Sequence, residues 1–414
     1  MKILWVKPGK ILPLDTGGRL RTYNILRQLC AHHELTYLSY YAGERDEEYE
    51  REVPSHIPGT MCVHKPAQDL KGIRRHLDYF LQIAGRAPYA VSRFTDPQVE
   101  RLLQEWIPQR RFDVAVCDFL SSTLNFPRDL ATPTALFQHN VESILWKRKA
   151  DVEPRFLDRL VFKLESAKMQ RFEPEQTRRF HHVIAVSETD RTAMSGMVDP
   201  SHISVVPTGV DLSKYQYDPE LRPQGSLVIF TGSMDWQPNI DGVEYFCSEI
   251  WPLVLHKVPQ ARFRIVGRDP HPRVKKLASQ SVEVTGTVPS IVDHLREAAA
   301  IVVPLRIGGG TRIKIYEGMA MGKATVSTTV GAEGLDVQHL RDILLEDTPS
   351  SFAEAIITLL QNGDARRRLE AGAAATARKY DWSVITEKFV EVLQKTIDAA
   401  QDEIPQTSGC PNGA

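Results

Sequence analysis

Short apolar runs rich in Val, Ile and Leu alternate with longer amphipathic stretches along almost the whole chain. A run that is apolar at every position belongs to a strand buried on both faces, and the amphipathic stretches supply the helices that cover it. The pattern restricts the fold to α/β with parallel sheets. It predicts strands over Ile3–Val6, Leu35–Tyr40, Asp113–Phe119, Thr134–His139 and Val183–Ser187, with a first helix over Gly18–His32. A second series predicts strands over Leu227–Thr231, Arg262–Val266, Val282–Thr285, Ala300–Pro304, Ala324–Thr328 and Ile343–Leu345. Helical patterns follow at Ser350–Gln361, Ala365–Lys379 and about Ser383–Ala400.

A chain of 414 residues exceeds one ordinary core. The expected division is an N-terminal domain over 1–208, a hinge over 209–225 and a C-terminal domain over 226–382. A helix over 383–400 is expected to pack back on the N-terminal domain, and 401–414 reads as a disordered tail. The net charge of -1 gives no field for nucleic acid. Five scattered cysteines show no zinc spacing, and Cys30, Cys117 and Cys247 read as core fillers in a reducing compartment. The chain starts directly on a strand, and no apolar run approaches about 18 residues. The expectation is a cytoplasmic protein without a transmembrane helix.

Several segments carry candidate chemistry. Gly308–Gly322 joins a glycine-rich turn, Arg312, Lys314 and a helix start bearing Glu317. Glycine amides, a helix N-terminus and two cations suit a phosphate, whereas a carboxylate beside them suits sugar hydroxyls. Gly17-Gly18 reads as a turn that opens the first helix, with Arg19 and Arg21 facing either an anion or solvent. Gln138-His139-Asn140-Val141-Glu142 ends a strand, where His139 and Glu142 are placed to polarise a hydroxyl. Thr231–Asn239 repeats the strand, Gly turn, helix order, with Gly232 at the turn and Asn239 as a plausible N-cap. Arg268 follows the strand end at Val266-Gly267 and is a candidate phosphate contact. The stretch 145–179 is strongly basic with interleaved apolar residues. It reads either as a solvated helix face or as a peripheral contact with the inner face of a membrane.

Together these residues resemble the family 4 retaining glycosyltransferases (group 1 glycosyl transferases) of the glycine-rich GGGTR subgroup. The carriers are Gly17-Gly18, His139–Glu142, Val186-Ser187-Glu188, Val206–Asp211, Phe230–Met234, Ile265-Val266-Gly267 and Gly308–Gly322. The resemblance implies a GT-B fold, two Rossmann-like domains with parallel sheets facing across a cleft. It implies that the C-terminal domain binds a nucleotide-diphosphate sugar and the N-terminal domain a glycan or lipid-linked acceptor. Glu317 would grip the ribose hydroxyls, and Gly309, Gly310 and Thr311 would present amides to the donor. Gly17 and Gly18 would cover the diphosphate, and His139 would lie near the reacting carbon. Two departures stand out. The family's Glu, seven residues, Glu pattern has Gly309 in its first place, and Ser233–Asn239 lacks the cations common there. Arg268, Arg312 and Lys314 are left as candidates to neutralise the diphosphate.

A cleft with those cations requires no metal and no cofactor for donor cleavage, and no Asp-x-Asp chelate is present. The expected catalytic set is His139, Glu317 and Lys314. Two alternatives stay open: a sugar-nucleotide epimerase on the same fold, and a non-catalytic sugar-nucleotide-binding subunit.

Overall fold

A computed structural model describes residues 1–66, 85–153, 155–223, 225–307 and 312–402. They divide into two units, Met1–Pro207 joined by the chain from Ile385 on, and Thr208–Val384.

The first unit is built on β1 (Lys2–Pro8), β2 (Glu34–Gly43), β3 (Thr60–Pro66), β4 (Val114–Asp118), β5 (Thr134–Phe137), β6 (His182–Ala185) and β7 (Ile203–Val205). They form a seven-stranded sheet in the order β3-β2-β1-β4-β5-β6-β7, each neighbouring pair parallel. The order reverses between β1 and β4. Ligands of open α/β sheets lie beyond the carboxyl ends of the strands flanking such a reversal. Here those ends are Lys7-Pro8 and Asp118-Phe119, which follow the registered pair Val6–Cys117.

The second unit holds β8 (Leu227–Thr231), β9 (Arg262–Val266), β10 (Val282–Gly286), β11 (Ala300–Val303), β12 (Thr325–Ser327) and β13 (Leu344–Leu345). Its six-stranded parallel sheet has the order β10-β9-β8-β11-β12-β13, reversing between β8 and β11. Inner strands such as β4, β8 and β11 are buried at every residue, which is why their apolar runs are legible in sequence. The pattern passed over β3 and β7. Both lie at the ends of their sheet, where one side is open and fewer residues are buried.

Six helices matter for the sites: α1 (Gly17–His32), α2 (Glu142–Val152), α3 (Phe156–Thr177), α4 (Gln237–Tyr245), α5 (Ile313–Ala320) and α6 (Trp382–Asp402). The basic stretch 145–179 is thus two helices, and the chain leaves α2 at Glu153, the residue before Pro154. The first turn of α2 is capped across space: Glu173 on α3 accepts from the Glu142 and Ser143 amides at 2.8 and 2.9 Å.

From Ile385, α6 belongs to the first unit. Phe389 stacks on Trp5 with centroids 5.2 Å apart and meets Phe137 edge-on at the same distance. Residues 209–223 are placed with the second unit. Val210 N donates to Tyr380 O at 2.7 Å, and Gly209 lies so close to Trp382 that a Cβ would come within 2.6 Å of its indole. Of the cysteines read as core, Cys117 is buried, Cys247 is partly buried, and Cys30 is partly exposed with its thiol donating to Arg27 O. Cys410 and the rest of the expected tail from 403 lie outside the described residues.

Candidate functional site

Each unit carries a cluster of polar side chains at its sheet reversal. In the second unit the centre is Gly232, one residue past β8. Its N–H is engaged by the sheet, donating to Val266 O at 3.0 Å. What glycine provides is room. A Cβ would stand 2.7 Å from Lys314 Nζ and 2.8 Å from Asn239 Nδ2. Gly267 makes the same provision for Gly232, whose carbonyl oxygen would lie 1.6 Å from a Cβ there.

Asn239 does not cap α4, whose cap position is Trp236. It lies inside the first turn, with its amide directed at the site. Nδ2 donates to Ser233 O at 2.8 Å, and Oδ1 accepts from Lys314 Nζ at 3.1 Å. The Lys314 ammonium also sits 4.0 Å over the Phe230 ring. Withdrawal from water and the charge of Arg312 lower its pKa to about 7, against the opposing pull of Glu317. Arg312 is 5% exposed and reaches Val330 O at 3.5 Å. Arg268 Nε donates to Ser233 Oγ at 3.0 Å.

Glu317 is one turn along α5 from Lys314. Burial raises its pKa, while the Tyr215 hydroxyl, donating to Oε1 at 2.7 Å, and the charges of Lys214 and Lys314 act to lower it. The structure therefore brings Gly232, Asn239, Lys314 and Glu317 into one cluster, with Ser233 and Arg268 beside it. Gly309, Gly310 and Thr311 lie outside the described residues.

In the first unit the cluster centres on Asp118, fully buried at the end of β4. Oδ2 accepts from Trp5 Nε1 at 3.0 Å and Thr22 Oγ1 at 2.7 Å, and Oδ1 pairs with His139 Nε2 at 2.6 Å. Burial would raise its pKa, but His139, Lys7 and Thr22 hold it below the ordinary value. His139 Nδ1 lies 2.6 Å from Arg21 NH1. A guanidinium only donates, so Nδ1 accepts and the proton of the neutral ring sits on Nε2, facing Asp118. Burial lowers the imidazole pKa to about 4, which keeps the ring neutral. Both ring nitrogens are thus occupied within the unit.

Gly17 and Gly18 are the first residues of α1, which starts one residue before the predicted Gly18, with Thr16 as the cap accepting from Arg19 N at 3.4 Å. Gly18 packs against the ring stack. A Cβ there would come 2.7 Å from Phe119, which stacks on His139 at 3.9 Å. Phe119 holds a φ of 70°, a left-handed position that costs a bulky residue about 1–3 kcal/mol. Arg19 pairs with Asp15 at 2.8 Å, whereas Arg21 is 1% exposed and directs its guanidinium at His139. Glu142 begins α2, and burial with the nearby charge of Glu173 pushes its pKa up to about 7.

Lys7, Asp118 and Tyr215 escaped the sequence reading, as did Trp5 and Thr22, the donors to Asp118. Lys7 is 3% exposed, with its ammonium 4.9 Å over Phe119. Lys7 and Asp118 sit at the ends of predicted strands, so the missing information was the strand order that makes them neighbours. Tyr215 gave no signal in a segment read as a hinge. Among the described residues, no three His, Cys, Asp or Glu side chains are grouped to hold a metal.

Comparison with known proteins agrees with this architecture. Residues 16–214 match the model described as Glycosyltransferase Family 4, and residues 225–362 match that of Glycosyl transferases group 1. A 44.6 kDa protein of the cps region of Klebsiella pneumoniae is 21% identical over 87% of this chain and 91% of its own. The phosphatidyl-myo-inositol mannosyltransferase of Mycobacterium tuberculosis is 26% identical over 51% of this chain and 58% of its own length. Among solved structures, sucrose-phosphate synthase of Thermosynechococcus elongatus has a TM-score of 0.69 at 14% identity, covering 96% of this chain and all of that one (100%). Anabaena HepE in complex with UDP and glucose has a TM-score of 0.63 at 15% identity, covering 95% of this chain and 100% of its own. Two Rossmann-like domains with parallel sheets place the fold in the GT-B class. With both halves matched by its models, the chain belongs to the family 4, or group 1, glycosyltransferases, and is a glycosyl-transferring enzyme.

Proposed function

We propose that the enzyme transfers a glycosyl group, with retention, from a nucleoside-diphosphate sugar to a glycan or lipid-linked acceptor. The observation that carries this reading is the Lys314 ammonium, lodged in the space left by Gly232 at the sheet reversal, with Glu317 one helical turn away. Cleaving the glycosyl–phosphate bond leaves negative charge on the diphosphate. Preorganised cations and dipoles aimed at that charge are the largest available source of rate enhancement. Lys314 fills this role, standing in for the cations absent from Ser233–Asn239, and Arg268 and Arg312 add charge nearby. In this reading the donor's charge is met by these side chains rather than by a metal. Glu317 accepts hydrogen bonds from sugar hydroxyls of the donor, the part a carboxylate beside a phosphate site commonly plays. The complexes of the structural neighbour HepE with UDP and with UDP-glucose support a donor of this class.

The test is calorimetric titration with UDP, GDP and ADP, followed by transfer assays with matching sugar donors in the presence and absence of EDTA. Wild-type protein is expected to bind one diphosphate and to transfer equally well with chelator. Glu317→Gln is expected to lose about 10- to 100-fold in donor affinity, the value of charge-assisted hydrogen bonds. Unchanged affinity in that variant removes Glu317 from the reading.

His139 has no free ring nitrogen in this arrangement, so its part is to hold the strand tip rather than to exchange a proton. The first-turn amides of Gly17 and Gly18 lack partners within α1 and remain candidates for an anionic group.

The membrane reading of 145–179 gains support from α3. Phe156, Leu157, Leu160 and Leu164 are exposed at 75%, 73%, 58% and 40%, spaced along one face and flanked by Arg155, Arg159 and Lys163. An apolar ridge edged by cations fits an anionic bilayer surface. No helix of the described residues is long and apolar enough to cross a membrane. Co-sedimentation is expected with phosphatidylglycerol vesicles and not with phosphatidylcholine vesicles. Replacing Phe156, Leu157 and Leu160 together by Ser should weaken it about 100-fold or more, since each buried side chain contributes about 1.5–3 kcal/mol. Equal pelleting of that variant would refute the contact.

A further inference from the structure

Tyr215 reaches Glu317 from outside the strand and helix that carry the donor cluster. It lies in the segment after Asp211 and is 4% exposed. Two residues on, Tyr217 packs at the other end of α5, where a Cβ on Gly322 would come within 2.1 Å of its ring. Gly322 sits just past the helix with a φ of 64°. The segment thus braces α5 at Glu317 and at its C-terminal turn. It is itself anchored, since Val210 N donates to Tyr380 O at 2.7 Å and Leu212 N to Asp381 Oδ2 at 3.4 Å.

We infer that Tyr215 is a positioning residue, whose hydrogen bond to Oε1 fixes the rotation of the Glu317 carboxylate so that its remaining lone pairs receive two adjacent hydroxyls, a vicinal diol such as that of a ribose. The inference rests on the reading of Glu317 as the diol acceptor. An ionised carboxylate offers about four acceptor sites. Tyr215 takes one, leaving Oε2 and the outer lone pair of Oε1. A carboxylate already held in place loses less rotational freedom when a diol engages. The same hydrogen bond favours the ionised form against burial, together with Lys214 from the segment and Lys314 from α5. Without the hydroxyl, Glu317 takes up a proton at higher pH, and diol binding fails earlier as pH falls.

Tyr215→Phe keeps the buried ring and removes only the donor. The tightest of UDP, GDP and ADP serves as ligand, alongside its 2′-deoxy form. The variant should raise the donor KM about 10-fold with kcat nearly unchanged, as expected for loss of uniform binding. The acid limb of kcat/KM should move to higher pH, because the hydrogen bond that favours the ionised carboxylate is gone. A ¹³C NMR titration of the Glu317 carboxyl in ligand-free protein should move with it. A side chain that merely packs would lower Tm and leave both titrations in place, and that result overturns the inference. Equal wild-type affinity for the ribo and 2′-deoxy ligands would instead overturn the reading of Glu317 as diol acceptor. The ligand-free titration judges the Tyr215 contact separately from it.

Discussion

Asp118→Ala is expected to destabilise the first unit by about 3–5 kcal/mol, the cost of leaving buried charge without its partner. The carboxylate is the shared acceptor for Trp5, Thr22 and His139, and it offsets Lys7 and Arg21, which are 3% and 1% exposed. Removing it takes from Lys7 the carboxylate that supports its charge, leaves Arg21 with Asp190 as its remaining acidic neighbour, and leaves buried donors unmatched. Asp118→Asn keeps an acceptor oxygen but not the charge, and should fall between wild type and Ala. Differential scanning calorimetry is the suitable measurement, because a protein of two units need not melt in one step. The transition assigned to the first unit should drop while the other stays within about 1 °C. An unmoved first transition would mean that the cations are discharged or solvated by another route. The residue sits at a sheet reversal, yet its largest measurable contribution is to folding.

Lys314→Met should lower kcat/KM for the donor by about 100- to 1000-fold, in line with removal of one preorganised charge from a transition state. Met preserves the packing over Phe230 and deletes the charge. The dependence on pH distinguishes this role from packing. In the free enzyme the ammonium titrates at about 7, and an anionic ligand beside it raises that value. Binding above pH 7 therefore takes up a proton, so affinity is greatest below about 7 and weakens as pH rises until the bound-state value is passed. Stability runs in the opposite direction. Between about 7 and the unfolded value near 10.4 the unfolded chain binds more protons, so wild-type stability rises with pH across that window. Both slopes should be absent in Lys314→Met. Titration calorimetry in two buffers of different ionisation enthalpy reads the proton uptake directly, and equal enthalpies in both would contradict the assignment.

The sequence was most informative where burial is continuous. The strand Leu227–Thr231 has the predicted ends, because both faces of an inner parallel strand demand apolar residues. Edge strands β3 and β7 were invisible for the converse reason. At the sites, a local pattern located Gly232, Lys314 and Glu317 but misjudged how neighbours act. Asn239 looked like a cap because it follows a Gly turn, and only the approach of α5 shows that its amide is engaged by Lys314. Gly17-Gly18 looked like a ligand-facing turn, yet Gly18 is demanded by the Phe119 ring. Asp118 was unremarkable within a predicted strand. Its meaning comes from residues 113, 96 and 21 positions away, and no window along the chain contains Trp5, Thr22 and His139 together.

The return of α6 to the first unit bears on how the protein is made. Trp5 and Phe137 leave the ribosome well before their partner Phe389. About 180 residues of the second unit are synthesised between the end of one contribution and the start of the other, at about 5–20 residues per second. For roughly 10–35 seconds the nascent first unit has its sheet in hand and an aromatic face uncovered, so the second unit can finish folding before the one that precedes it in sequence.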